Sequence, residues 1–336
     1  MLNKNYKEEA KMMKEKLTKM LLSFAVCFSL LIVAGPASVW ADNYPSRPIK
    51  AFYGYAAGGT CYISFQALCK EAEKILEQPL VLVEKSGATA TICGGTVARS
   101  NPDGYTIGVV KSTTIVNASY QYKLPYSPMD DLTHIYAYSS PAAGFTVKKD
   151  YPLNTWKELI EYARKNPGKV SWASSGAMGN APLITEYIGK IEGIQWNHVP
   201  CKGGAEAMKL LLGGQVDGYA SSGSHVIHIA AGRAKLLADY MDTRTYPDVP
   251  TLEELGYEGL AIGKAPYIII GPKNLPPDIR KTLEDAFEKA SKSPAYLEVE
   301  KRLEMRSVGL KGKELEDFLK NTKVTIEKIL KELNRI

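Results

Sequence analysis

From residue 48 onward, short apolar runs alternate with glycine-rich breaks and with longer stretches whose apolar positions recur every three or four residues. Residues 48–53 (PIKAFY) predict a first strand, and the glycine-rich stretch 54–60 follows it. Ile63, Ala67, Cys69, Ala72, Ile75 and Leu76 then recur at roughly helical spacing with Lys70, Glu71, Glu73 and Lys74 between them, the pattern of a helix with one buried face. Residues 80–83 (LVLV) form a continuous apolar run, which marks a strand covered on both faces. The segment 87–95 leads into Val97 and Ala98, and Asn101-Pro102-Asp103-Gly104 predicts a turn ahead of a strand at 105–110.

The middle of the chain repeats this order. Thr155 and Glu158 have the spacing of a capping box, which predicts a helix through Leu159, Ile160 and Ala163 that stops at Pro167-Gly168. A strand at 170–173 runs into the loop 174–180, with a helix from Pro182; 205–212 predicts another helix ended by Gly213-Gly214. A strand at 216–220 meets Ser221-Ser222-Gly223-Ser224, 236–238 is strand-like, and Thr251 with Glu254 forms a second capping-box pattern. Residues 267–270 (YIII) predict one more strand, and from Pro276 the pattern is almost wholly helical, with Pro294 opening a further helix. Leu315, Phe318, Leu319, Val324, Ile326, Ile329, Leu330 and Leu333 form its last apolar face. Alternation of strand and helix implies parallel sheets with crossover helices. Pro141 to Gly144 and Gly263 to Pro266 are the two hinge candidates. If the chain crosses over at both, one lobe is discontinuous, 42–141 plus 266–336, and 142–265 is the second.

Ahead of this pattern Lys4, Lys7, Lys11, Lys14, Lys16 and Lys19 precede an apolar run of about 15 residues, and Val39-Trp40-Ala41 precedes the polar Asp42. Basic, apolar and small-residue regions in that order predict a signal peptide over 1–41, hence an exported, periplasmic protein that is soluble once cut near Ala41. The run falls short of the roughly 20 residues that span a bilayer. The whole chain of 336 residues carries 42 Lys and Arg against 36 Asp and Glu; without the first 41 residues the balance is 36 against 33. That small excess excludes a dedicated nucleic-acid binder, which needs a concentrated basic face. The remaining Cys61, Cys69, Cys93 and Cys201 permit disulfides without requiring them. Cys61 and Cys69, on one helix, would lie about 12 Å apart and out of bridging reach.

Candidate chemistry lies in the loops. Gly58-Gly59, Ser174-Ser175-Gly176, Gly203-Gly204 and Ser221-Ser222-Gly223 each stand between a predicted strand and a predicted helix. In open α/β sheets that edge binds ligands, because backbone N–H groups at helix N-termini point into it and favour an anion. Three or four charge-assisted hydrogen bonds there sum to about 8 kcal/mol, the scale of a micromolar dissociation constant. No cofactor motif is present: the chain has neither a G-x-G-x-x-G after a strand, nor a phosphate loop, nor H-E-x-x-H, nor a G-x-S-x-G elbow. His225 and His228 are three apart, with no third metal ligand legible nearby. The enzyme reading that competes is a thiol hydrolase: Cys61 at a helix N-terminus would have a lowered pKa, with His225 or His228 as its base.

Tyr44-Pro45-Ser46-Arg47-Pro48-Ile49, Ala56-Ala57-Gly58-Gly59, Pro102-Asp103-Gly104-Tyr105-Thr106, Ala173-Ser174-Ser175-Gly176, His198-Val199-Pro200, Leu211-Leu212-Gly213-Gly214-Gln215-Val216-Asp217 and Asp248-Val249-Pro250-Thr251 occur in this order. With them nearly all of the chain after residue 42 resembles the substrate-binding receptors of tripartite tricarboxylate transporters, the Bug-type solute receptors. The resemblance implies a type II periplasmic-binding-protein fold of two α/β lobes, no catalysis and no cofactor. It also implies a small organic acid as ligand, integral membrane permease subunits as partners, and a carboxylate held by the loop 55–61 with help from 174–180 on the other lobe. The expected ligand-binding residues are Tyr55, Ala57, Gly58, Gly59, Thr60, Cys61, Tyr62, Ser112, Thr113, Ser174, Ser175, Gly176, Gly179, Asn180, Lys202, Gly203, Ser221, Ser222 and Tyr267. A monomer is expected, and a ligand sensor for a membrane signalling partner is the alternative to transport. The chain departs from the family's pattern where Tyr62 and Ser221 stand in place of acids and Glu84-Lys85-Ser86-Gly87 in place of Asn-Arg-Pro-Gly. With Tyr53, Tyr55, Tyr62, Tyr219 and Tyr267 near the expected cleft, a flat aromatic carboxylate stacked on tyrosine is the narrower expectation.

Overall fold

The computed structural model describes Met13 and residues 44–55, 57–201, 203–260 and 263–336; the expected leader over 1–41 and Lys202 lie outside the described residues. Residues 45–336 form one compact unit built on two sheets. The first sheet has the strand order β11-β4-β10-β3-β1-β2, with β1 Ile49–Tyr53, β2 Leu80–Glu84, β3 Thr106–Lys111, β4 Leu132–Pro141, β10 Tyr267–Pro272 and β11 Met305–Lys311. The second has the order β7-β6-β8-β5-β9, with β5 Ala143–Lys148, β6 Ser171–Ser174, β7 Asn197–Pro200, β8 Gly218–Ser222 and β9 Ala234–Asp239.

Parallel pairing holds where strand, loop and helix repeat: β1 with β2 and β3, and β6 with β7 and β8. The sheets are nevertheless mixed. β10 runs antiparallel to β3 and β4, β11 to β4, and β5 to β8 and β9. The chain leaves the first sheet along β4, which ends at Pro141, and enters the second along β5, which starts at Ala143. It comes back at β10. Strands that carry the chain out of a sheet and back need not follow the βαβ rule that sets the others parallel.

The helix predicted from Ile63 is α1, Thr60–Leu76, with Phe65, Leu68, Cys69 and Ala72 buried. A short turn, 88–90, precedes α2, Thr91–Ala98. After β3 come α3, Ser112–Val116, and α4, Ala118–Gln121. The Thr155 capping box forms as expected, opening α5, Trp156–Lys165, with reciprocal bonds between Thr155 and Glu158. Next come α6, Asn180–Ile191, α7, Gly204–Leu212, and α8, Val226–Ala230. The C-terminal part holds α9, Pro277–Ser291, α10, Pro294–Arg302, and α11, Gly312–Glu332.

Local pattern misses several features, β5 among them. The Thr251 box makes its bonds, yet it closes a turn and not a helix, because the chain reaches Gly256 at φ 88° immediately afterwards. β11 interrupts the C-terminal helices, since Glu304 at φ 47° ends α10 and turns the chain back against β4. β4 hides its strand character because its polar residues point inward and are partnered there. Ser139 meets the Tyr296 hydroxyl at 2.6 Å, Tyr136 meets Ser291 at 2.8 Å, and His134 Nε2 lies 3.0 Å from the Pro128 carbonyl. On α11, Val324 faces solvent, 68% exposed, and Leu315, Leu319, Ile326 and Leu330 do the packing.

Ala88, Thr89 and Ala90 have φ of 45°, 55° and 65°, three successive left-handed residues with a Cβ. Each such residue costs about 1–2 kcal/mol against a right-handed one, and a branched side chain is the worst suited. Thr89→Gly is therefore expected to stabilise the fold by about 0.5–1 kcal/mol after glycine's extra unfolded-state entropy is counted, raising the melting midpoint by about 2 °C. Scanning calorimetry that finds an unchanged or lower midpoint would count against strain at this turn.

Candidate functional site

In each sheet the parallel strands end at one edge, and the loops leaving those ends carry the glycine and serine motifs. On the first sheet these are the loop after β1, with Tyr55 and Gly58-Gly59, and Lys111-Ser112-Thr113 at the end of β3. Tyr267, which opens the antiparallel β10, pairs with Lys111 and so reaches the same edge. On the second sheet they are Ser174 to Gly179 after β6, Gly203 after β7 and Ser221-Ser222 at the end of β8. The two edges meet. Lys111 Nζ donates to Ser222 Oγ at 3.0 Å, and Asn117 Nδ2 donates to the Met178 carbonyl at 2.7 Å and to Asn180 Oδ1 at 3.0 Å. Within the second edge Ser175 and Ser221 share a hydroxyl contact of 2.5 Å.

Glycine opens three helices at this junction: Gly59 before α1, Gly179 before α6 and Gly203 before α7, all in extended conformation and none bringing a capping side chain. A helix start leaves up to four N–H groups that need an outside acceptor. Gly58, at φ 81°, makes the left-handed turn that aims the first of these starts. The arrangement suits an anion, whose oxygens supply what a side chain would otherwise supply.

Electrostatics at the junction centre on Lys111. Its ammonium lies 5.9 Å from the Tyr55 ring centroid and 5.4 Å from that of Tyr267. The surrounding protein pushes its pKa down to about 8, because desolvation disfavours the charged form. The Tyr55 hydroxyl accepts the Lys111 backbone N–H at 3.1 Å and shares a 3.1 Å contact with Thr114 Oγ1, which donates to the Thr89 carbonyl at 2.8 Å. The left-handed turn is thus tied into the wall of the site.

Behind the second edge stands a Ser-His-Glu series. His198 Nε2 is 2.7 Å from Ser174 Oγ, and Nδ1 is 2.6 Å from Glu186 Oε1. Arg335 pairs with the other Glu186 oxygen at 2.5 Å, and the imidazole stacks on Trp172 at 3.8 Å. It does not form a catalytic triad. Ser174 is fully buried and donates to the Gly176 carbonyl at 2.9 Å. Shut in between that carbonyl and the imidazole, the Ser174 hydroxyl does not face a ligand. The series holds the loop after β6 in shape.

The expected site residues divide by exposure. Ala57, Gly58, Gly59 and Ser175 are exposed, and Tyr55, Thr60, Tyr62, Gly176, Gly179, Gly203 and Ser222 are partly so. Cys61, Ser112, Thr113, Ser174, Asn180, Ser221 and Tyr267 are buried and shape the walls. Of the five tyrosines, Tyr53, Tyr219 and Tyr267 are packed into the protein, and Tyr55 and Tyr62 keep exposed surface. The thiol-hydrolase expectation fails on electrostatics: burial pushes the Cys61 thiol well up, and this outweighs the opposing pull of the Lys111 ammonium. His225 is buried with neither ring nitrogen hydrogen-bonded among the described residues, and its pKa is pushed down to about 4, so it is no base for Cys61. Cys61, Cys69, Cys93 and Cys201 are all free thiols. No group of metal-ligating side chains occurs among the described residues.

Sequence reasoning passed over Lys111, Asn117 and Glu186. Lys111 leaves a trace in the sequence, a charge that ends the apolar run 107–110 immediately before Ser112-Thr113. Asn117 and Glu186 leave none, since each acts on a partner about 60 or 12 residues away through the tertiary fold.

Comparison with known proteins bears on the family and the fold. The model of the tripartite tricarboxylate transporter family receptor matches residues 64–335. A UPF0065 protein in the gbd 5' region of Cupriavidus necator is 34% identical over 311 residues, 91% of this chain and 94% of that protein. Protein BugT of Bordetella pertussis is 28% identical over 287 residues, 84% of this chain and 87% of that protein. Among solved structures, periplasmic binding protein BugD is 28% identical with a TM-score of 0.75, covering 87% of this chain and 99% of that one. A Rhodopseudomonas palustris protein solved with malate shares the fold at 22% identity and a TM-score of 0.71, covering 85% of this chain and 100% of that one.

Proposed function

Because the chain belongs to the tripartite tricarboxylate transporter family of receptors, which bind solutes and are not enzymes, we propose that it captures a small organic carboxylate between two lobes and delivers it to a membrane permease. The lobes are 42–141 with 266–336, and 142–265, and the chain works outside the cytoplasmic membrane as a monomer after its leader is removed near Ala41. Among the described residues no helix is long and apolar enough to cross a membrane. The observation that carries the reading is the meeting of two sheet edges whose helices open on uncapped glycine, bridged by Asn117 and by Lys111.

An anion at this place accepts N–H groups from both edges at once, so it favours the closed arrangement by its differential contacts. No group at the junction is poised to attack the ligand: Cys61 is held protonated and Ser174 is buried. The narrower form of the reading, an aromatic acid, rests on Tyr55 and Tyr62, the two of the five tyrosines that are partly exposed.

Titration calorimetry and thermal shift of the mature chain against adipate, malate, citrate and benzoate test the reading. Saturable heat and a raised melting temperature with at least one acid are expected, together with contraction in small-angle scattering. Silence from every acid, with a particle that never contracts, would end it. Stabilisation by aliphatic acids alone would reject the aromatic form and leave the carboxylate reading standing.

A further inference from the structure

A desolvated ammonium with no acid beside it needs an anion, and Lys111 is in that condition. It is partly exposed at the junction and has no carboxylate within ion-pair range among the described residues, whereas Lys264 pairs with Asp242 at 3.1 Å and Lys273 with Asp131 at 3.1 Å. An ammonium has three donors. One reaches the Ser222 hydroxyl at 3.0 Å; the Tyr55 and Tyr267 rings, 5.9 and 5.4 Å away at their centroids, offer the cation only π faces. A lysine in surroundings so short of negative charge is a poor structural element, since a methionine of similar length would pack there without the desolvation cost.

We infer that Lys111 is the specificity-determining cation of this site: its ammonium takes the charge of the bound carboxylate, so the site selects anions over neutral isosteres of the same shape. This rests on the carboxylate reading above and goes beyond it, because the helix starts offer an anion only partial positive charge, whereas the ammonium offers a full one. Lys111 stands on β3 of the first sheet and Ser222 on β8 of the second, so an anion seated on this pair also bears on closure.

The charge has a pH signature. Lys111 loses its proton around pH 8 in the empty site, while a carboxylate stays ionised throughout, so affinity falls as pH rises above about 8. The groups facing it are Tyr55 from the loop after β1, Tyr267 from β10, Cys61 from α1 and Ser222 from β8. Burial holds both phenols and the thiol protonated well past that pH, and serine does not titrate, so the transition belongs to Lys111. Because bound carboxylate raises its pKa, binding at pH 8 takes up about half a proton.

The test uses the mature chain with whichever of adipate, malate, citrate or benzoate binds the wild type, together with the amide of that acid. Lys111→Met is expected to bind the acid about 10- to 100-fold more weakly at pH 7 and to lose discrimination against the amide. Lys111→Arg is expected to keep most of the affinity and lose the fall above pH 8. Methionine binding within twofold of wild type, with the wild-type pH profile, overturns the inference and leaves the carboxylate reading intact. If no acid binds the wild type, the reading fails and the inference with it. Should the methionine variant misfold, calorimetry of the wild type at pH 8 in buffers of different ionisation heat decides alone: proton uptake supports the assignment, and none overturns it.

Discussion

Asn117→Ala is expected to weaken capture of the carboxylate that binds the wild type by roughly 10- to 100-fold. Asn117 is 1% exposed at the end of α3, and its Nδ2 spans the junction to the Met178 carbonyl at 2.7 Å and Asn180 Oδ1 at 3.0 Å. Each bond contributes about 0.5–1.5 kcal/mol net, and a buried acceptor left without its donor costs about 1–3 kcal/mol. Those terms bear on the arrangement in which the edges touch, because an opened junction lets water reach the same acceptors. Asn117→Asp, which puts a second acceptor where the donor stood, should be at least as damaging. Calorimetry reads the affinity and small-angle scattering the loss of contraction. An alanine variant within twofold of wild type would show that the loop after β6 is held by its own lobe alone.

The largest loss of stability is expected from Trp156→Ala, about 3–5 kcal/mol. Trp156 is the first residue of α5 and is 2% exposed. Its ring meets Phe145 edge-on at 5.3 Å and Tyr240 at 6.4 Å, and its Nε1 donates to the Tyr257 hydroxyl at 3.2 Å. Tyr257 donates in turn to Glu192 Oε1 at 2.8 Å, so one ring joins the helix, the second sheet and the loop after β9. Alanine leaves a cavity the size of an indole and a phenol without that donor; phenylalanine keeps most of the packing and should cost about 1–2 kcal/mol. Scanning calorimetry should show the midpoint lowered by about 10 °C in alanine. A loss under 1 kcal/mol would mean that the second sheet's core does not depend on this ring.

Neither effect is legible from residue pattern, and the reason is the range over which each acts. The repeating units, the glycine loops that end them and the capping box at Thr155 come from local rules, because a helix start or a strand buried on both faces writes its periodicity into neighbouring residues. β4 escaped such reading because its inward polar groups are satisfied by Tyr296 and Ser291, more than 150 residues away. The Thr251 box made its bonds and still gave only a turn, since the left-handed backbone at Gly256 stops a helix from continuing.

The same division runs through the site. The chain's own order of residues specified which loops carry amide donors and serines, and that these sit at strand ends. Only the packing of the two sheets decided which loops confront each other, that Cys61 is too desolvated to ionise, that Ser174 is shut in behind the imidazole of His198, and that Lys111 stands between two phenol rings without an acid. Periodicity reports which face of an element is buried. A pKa, an ion's missing partner and a contact between lobes depend on atoms brought together from distant parts of the chain, where desolvation and distance set the energies.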